Sequence, residues 1–221
     1  MQLTLLCNAG LALVSGGQTL LVDVPAGEAP PFAPLPPETW RRILERDGDY
    51  RRLAGLWFTH THPDHCDLDD LAAFQHRWPE VPCLMPQAGE LHGIVELGGF
   101  TLEYAEIPHA PIPNPPVHRV TWIEAEGRSV YVAADAALDV EAHRAFLRGR
   151  RAGDAFFNAM YLSRPETRAL LREAADRVWI YHMPPDQSDG IWRKCRRNLE
   201  RFAPELTTVT VLDRYPSAIP L

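Results

Sequence analysis

Apolar and polar positions along the chain fall into short blocks, most of them with a period of two or with unbroken apolar runs. The first 25 residues read as two strands, MQLTLLC and LALVSGGQTLLVDVP. The second doubles back at Ser15-Gly16-Gly17, a hairpin signal. GLWFTH (55–60) is a short apolar strand running into polar residues, and VPCLM (81–85) is a briefer one. Gly98-Gly99 turns into FTLEYAEIP, which alternates cleanly, and HRVTWIEAEGRSVYVAAD reads as a hairpin turning at Glu126-Gly127. DAFFNAMYL (154–162), VWIYH (178–182) and TTVTVLD (207–213) complete the strands. Helical spacing predicts helices over 38–46, 67–77, 138–147, 163–175 and 189–201. Leu68, Leu71, Ala72 and Phe74 share one face of the second, and Trp192, Cys195 and Leu199 one face of the last.

Two proline-rich stretches, 25–37 and 108–116, exclude interior helix or strand. The first reads as a linker or a surface excursion near an active site, and the second interrupts the order of elements. Strands dominate the first two thirds and helices flank the later strands. That order suggests an α+β fold, a four-layer αββα sandwich, rather than simple βαβ alternation. The 221 residues suffice for one domain with a sizeable core, taken here as 1–221.

Composition narrows the functional classes. Hydrophobic residues make up 46% and charged residues 23%, which excludes a wholly disordered or collagen-like chain. Twenty-two Lys+Arg against 29 Asp+Glu give a net charge of −7, which disfavours general nucleic-acid binding. A small anionic substrate stays open, since a bound metal reverses the local field. Cys7, Cys66, Cys83 and Cys195 form no C-x-x-C pair and read as reduced cysteines of a cytoplasmic protein. The start of the chain lacks the basic region of a signal peptide, and no run approaches a membrane span. A homodimer stays open.

Chemistry concentrates in Thr59-His60-Thr61-His62-Pro63-Asp64-His65-Cys66-Asp67, just beyond an apolar strand. Imidazole nitrogens are good neutral ligands for zinc, and for iron or manganese in mixed sites. His60 and His62 can face the same way, while Asp64 and His65 lie further round the turn and can address a second centre. The alternative for any one strand-end histidine is a packed or surface residue. Three of them with an aspartate at this spacing point to metal.

The run His60, His62, Asp64, His65 has the H-x-H-x-D-H pattern and resembles the metallo-β-lactamase fold superfamily. LLVDVP resembles the strand that closes on an aspartate there, with Asp23 at that position and Val24-Pro25 where a glycine is common nearby. Further landmarks recur in order over nearly the whole chain. His109 in TLEYAEIPHA matches the next histidine, with His118 its competitor. Asp135 ends SVYVAAD, with Ala134 in place of the usual glycine, and His182 in VWIYHMP matches the last histidine.

The resemblance implies two divalent cations, zinc before manganese or iron. His60, His62 and His109 would hold one, Asp64, His65 and His182 the other, and Asp135 would bridge them. The implied enzyme is a metallo-hydrolase that attacks with a metal-bridged hydroxide. Asp64 and Asp135 are then its catalytic carboxylates, and Asp23 fixes a histidine tautomer. The implied substrate is a small molecule. A phosphodiester such as a cyclic phosphate comes first, and an ester, lactone or thioester second. A non-catalytic metal-binding module is the remaining alternative. Arg193-Lys194-Cys195-Arg196-Arg197 reads as a solvated helix face with a secondary claim on substrate phosphate. Phe32, Trp40 and Tyr161 are pocket or core residues. Cys66 is read as packed beside the site, His118 as an outward-facing strand residue if not a ligand, and His76, His92 and His143 as non-ligands.

Overall fold

The computed structural model describes residues 1–220. The first of two sheets comprises β1 (Gln2–Leu5), β2 (Leu11–Ser15), β3 (Gln18–Val22), β4 (Leu53–Trp57), β5 (Cys83–Leu84) and β13 (Ser217–Ile219). Its order is β13-β1-β2-β3-β4-β5, antiparallel as far as β3 and parallel from β3 to β5. The second holds β6 (His92–Leu97), β7 (Phe100–Glu106), β8 (Arg119–Ala125), β9 (Arg128–Ala134), β10 (Ala152–Asn158), β11 (Ala175–Tyr181) and β12 (Val209–Val211). An antiparallel meander from β6 to β9 continues there as parallel β10, β11 and β12.

The side-chain period of two divides the buried residues into three layers of packing. Leu20 and Val22 of β3 meet Val130 and Val132 of β9 and Phe156 of β10 between the sheets. Leu21 and Leu56 point the other way, onto Ile43 of α1 (Pro37–Leu44) and Leu71 and Phe74 of α2 (Leu68–Arg77). Tyr131, Phe157 and Ile180 point outward from the second sheet. They meet α3 (Val140–Leu147), α4 (Pro165–Ala174) and α5 (Gly190–Arg201) through Phe146, Leu170 and Trp192. Both faces of each sheet are covered, which is why so many strands read as unbroken apolar runs. The result is an α+β sandwich of four layers, αββα.

Two predicted elements differ, and two strands appear that the pattern did not predict. The first 25 residues form three strands, because LALVSGGQTLLVDVP folds back at Ser15-Gly16-Gly17 into antiparallel β2 and β3. In β6, His92, Ile94 and Glu96 are exposed at the sheet edge, so its polar and glycine content is tolerated, and β13 is only three residues long. DAFFNAMYL is strand only as far as Asn158. The Asn158 side chain accepts from Met160 N at 3.0 Å and starts a 3-10 turn, Ala159–Leu162.

Every landmark residue follows the carboxyl end of a strand, at one edge of the sandwich. Three of the strand-end turns take positive φ: 54° at Asp23, 46° at Ala134 and 58° at His182. Ala134 therefore adopts the left-handed conformation a glycine would take without strain. Both proline-rich segments are tied to this edge. Gly27 N donates to Pro63 O (2.7 Å) and Asp67 N to Pro25 O (2.9 Å), which joins the first segment to the histidine loop. Ala110 N donates to Asp135 O and Ala137 N to Pro108 O, each at 2.7 Å, which joins the second to the Asp135 turn.

Candidate metal centre

Two groups of ligand-type atoms converge here. His60, His62, His109 and Asp135 form one, and Asp64, His65 and His182 the other, with the ligand atoms of each group within 4.8 Å of one another. The seven side chains singled out from the sequence are thus brought together, from loops after β4, β7, β9 and β11.

Hydrogen bonds on the outer side of the histidines set which nitrogen faces inward. Asp23 is fully buried, and its Oδ2 accepts from His65 Nδ1 at 2.9 Å and from Thr59 Oγ1 at 2.8 Å. Its Oδ1 accepts from Thr59 N at 2.7 Å. The Thr59 hydroxyl spends its one hydrogen on the bond it donates to Asp23, so it accepts from His60 Nδ1 at 3.1 Å. His109 Nδ1 donates to Ala110 O at 2.7 Å. His60, His65 and His109 therefore all turn Nε2 toward the centre.

Those inward nitrogens do not fully satisfy one another. His109 Nε2 is buried and has no hydrogen-bond partner. His60 Nε2 faces His62 Nδ1 at 3.0 Å, and His65 Nε2 faces His182 Nε2 at 3.1 Å. A buried acceptor without a donor is costly, and paired imidazole nitrogens beside carboxylates are the donor set a divalent cation satisfies. The two clusters fit a dinuclear site.

Asp135 lies between them. Its Oδ2 is 3.9 Å from His60 Nε2, 3.5 Å from His65 Nε2, 3.6 Å from His109 Nε2 and 3.5 Å from His182 Nε2. Burial alone would push its pKa up, but the facing His182, His109 and His65 hold the carboxyl well below the usual range. Asp64 is lowered against the same burial effect, chiefly by the His182 contact at 3.0 Å. Burial drives His60 well below its ordinary value, with neighbouring His65 and His118 adding to the effect. Burial works the same way on His65, but Asp23 and Asp135 outweigh it and hold that ring up at about 10. Without a cation the centre keeps a proton on His65, so binding a metal there must release it.

His109, and not His118, belongs to the ligand cluster. His118 is nonetheless not outward-facing. It is 1% exposed, its ring centroid is 5.2 Å from that of His60, and its Nδ1 donates to Ile107 O. It lies one residue before β8 and is buried there.

Cys66 is buried and outside both clusters. Phe32 stands edge-on to His182, ring centroids 4.1 Å apart, whereas Trp40 packs on Phe74. Tyr161 is buried with His143 and Tyr131. Tyr161 Oη contacts His143 Nε2 at 2.7 Å and donates to the carbonyls of Ala136 and Ala137 behind Asp135.

Two residues not singled out from the sequence take part. Asn8 Nδ2 donates to Asp64 Oδ2 at 3.1 Å, and Asn8 O accepts from His182 N at 3.1 Å. Asn158 Nδ2 donates to Ala134 O at 3.0 Å and lies 3.4 Å from Asp135 Oδ1. A lone amide inside an apolar run was the available signal in both cases, since a buried amide needs partners.

No protein-family model matches the chain, and no curated protein matches it. Solved structures do. A protein described as a possible metal-dependent hydrolase from Veillonella parvula matches with a TM-score of 0.68 and 16% identity, covering 100% of this chain and 99% of its own. The metallo-β-lactamase fold protein YhfI from Bacillus subtilis gives 0.63 and 15%, with 99% of each chain covered. CmlA, a diiron β-hydroxylase from Streptomyces venezuelae, gives 0.64 and 15% over 100% of this chain and 54% of that one. The fold is the metallo-β-lactamase fold. These neighbours include both a hydrolase and a hydroxylase description, so the reaction has to be argued from the site.

Proposed function

We propose that the protein is a metal-dependent hydrolase of a small molecule. In this reading His60, His62 and His109 hold one divalent cation and Asp64, His65 and His182 the other. Asp135 serves both. The observation that carries it is the position of Asp135 Oδ2, 3.5–3.9 Å from four imidazole nitrogens drawn from the two clusters. Bound cations would acidify a shared water and neutralise charge developing on the scissile group. Zinc is the first choice for such a nitrogen-and-oxygen set, with iron or manganese next.

The chain's own residues divide the work. Asp23, Thr59 and the Ala110 carbonyl lock the histidine tautomers. Asn8 holds Asp64, which is placed to orient a nucleophile as well as to bind. Asn158 holds the Asp135 turn. This ligand set serves a phosphodiester or a carboxyl ester alike, and the preference for a phosphodiester comes from resemblance. Four free cysteines support a reducing, cytoplasmic setting. Among the described residues no helix is long and apolar enough to cross a membrane.

The test is metal analysis of the purified protein, followed by a screen of the zinc-, manganese- and iron-loaded forms. The panel is bis(p-nitrophenyl) phosphate, a p-nitrophenyl ester, a thioester and a lactone. We expect two equivalents of metal and turnover of at least one compound, with His62→Ala lowering turnover at least 100-fold and displacing metal. Full occupancy without turnover on any compound would favour the non-catalytic module.

A further inference from the structure

We infer that the substrate offers the centre a neutral, apolar acyl group, so that the bond cleaved is a carboxyl ester, thioester or lactone; this rests on the hydrolase reading above. A cavity of about 320 Å³ opens directly onto His109, Asp135 and His182. That is at the small end of the range for small-molecule sites. Its walls come from four separate parts of the chain. Phe32 is supplied by the first proline-rich segment, and Pro111 and Ile112 by the second. Met160 comes from the 3-10 turn after β10, and Ile191 from the first turn of α5. Ile112 and Met160 are 39% and 38% exposed, so large apolar side chains stand toward solvent where a soluble protein would otherwise place polar ones.

The wall lacks what a phosphorylated ligand would need. No Lys, Arg, Ser, Thr or Tyr lines the cavity among the described residues. Its one neutral polar side chain, Asn158, is committed. The Nδ2 is given to Ala134 O, and Oδ1 accepts from Met160 N, both at 3.0 Å. The basic run on α5 does not help, because Arg193, Lys194, Arg196 and Arg197 are exposed and only Ile191 of that helix lines the cavity. Bound cations could take the charge-bearing oxygens of a phosphodiester, but the sugar hydroxyls and base of a nucleotide would lie along this wall unpaired. An acyl substrate has one carbonyl oxygen to satisfy and a hydrocarbon tail that the wall matches. In hydrolysis the oxygen of one water bonds to the acyl carbon and the acyl C–O or C–S bond breaks. The alcohol or thiol leaves with one proton of that water, and the product acid sheds the other.

The walls are also held ready. Gly27 N to Pro63 O and Ala110 N to Asp135 O tie both proline-rich segments to the metal-ligand loops. Proline restricts φ in the unfolded chain too, so less freedom is lost in keeping Phe32 and Ile112 in place.

Two readouts on zinc-loaded protein test this. Calorimetric binding of acetate, butyrate, hexanoate and octanoate should tighten about two- to fourfold per methylene until the cavity fills, the upper figure being the transfer of one buried CH₂. Turnover of the matching p-nitrophenyl esters should rise in kcat/KM in parallel and exceed that of bis(p-nitrophenyl) phosphate. Ile112→Ser and Met160→Ser, both on the exposed side of the wall, should weaken octanoate binding several-fold more than acetate binding. Chain-length-independent binding and turnover, or preferred cleavage of the phosphodiester, would overturn the inference while leaving the hydrolase reading intact. Chain-length-dependent binding with no turnover of any ester or of the phosphodiester would keep the apolar pocket but overturn both the ester assignment and the hydrolase reading.

Discussion

Asp23 shows how much of the centre hangs on a residue that touches no cluster atom except through hydrogen. Its two oxygens receive three donors: Thr59 N on Oδ1, and Thr59 Oγ1 and His65 Nδ1 on Oδ2. All three are buried, and a carboxylate is the one side chain of this size that accepts on both sides. Asp23→Asn keeps the shape and gives one of those sides an NH₂. In one amide orientation Thr59 N meets a donor, and in the other His65 Nδ1 and the Thr59 hydroxyl do. The expected cost is about 2 kcal/mol of stability, the penalty for a buried donor left without an acceptor. Metal affinity should fall by roughly tenfold or more as His65 loses the group that fixes its tautomer. Urea unfolding of the metal-free form measures the first effect and chelator competition the second. Wild-type values in both would mean that the Asp23 carboxylate is not what orients His65.

At the scale of elements, the two proline-rich segments are structural parts of the site. Gly27 is the tightest point of the first. A Cβ there would lie 2.5 Å from Asp67 Oδ2, and Asp67 caps α2 by accepting from Asp69 N and Asp70 N. Gly27→Ala must therefore move either the helix cap or the segment carrying Phe32. The expected loss is about 1–2 kcal/mol, a cap together with overpacking. Chemical denaturation checks it, and unchanged stability would mean the segment is not held against α2. The sequence announced this region only in part. Prolines at 25–37 excluded regular structure there, but the contact with residues 63–67 is a tertiary hydrogen-bond pattern that no local period encodes. Long apolar runs such as SVYVAAD and VWIY made β9 and β11 legible because both their faces are buried. The edge strand β6 was not legible, since half of HGIVEL faces solvent. The metal motif was plain because its residues are adjacent in the chain. Asn8 and Asn158 were hidden because their partners Asp64 and Asp135 are 56 and 23 residues away.

At the scale of the whole molecule, two neutral histidines are built into the interior behind the centre. Burial pushes His143 down to about 4 and His118 to about 3, against an ordinary value of 6.5. His143 is held between Tyr131 and Tyr161, and Tyr161 in turn donates to the carbonyls of Ala136 and Ala137. Protonating His143 therefore loosens the turn that carries Asp135. The sign follows from where the proton binds. Below 6.5 the unfolded chain takes up a proton on each of these rings that the folded chain refuses. Their contribution is thus fully present above pH 6.5, and it is lost as the pH falls toward 4 for His143 and toward 3 for His118. His65 opposes this in the metal-free protein. Its raised value adds stability below pH 6.5 that is lost as the pH rises toward 10, so the total profile mixes both slopes. A single substitution separates them. Gln can donate and accept at position 143 but does not titrate, so His143→Gln removes one proton from the balance without removing the hydrogen-bonding capacity. Between pH 6.5 and about 4 the wild type should lose stability faster than the variant, by about 1 kcal/mol for each pH unit. Urea unfolding of the metal-free proteins at pH 7 and pH 5 makes the comparison. Parallel losses in the two would place the acid sensitivity in other groups and leave the Tyr131–His143–Tyr161 cluster as packing alone.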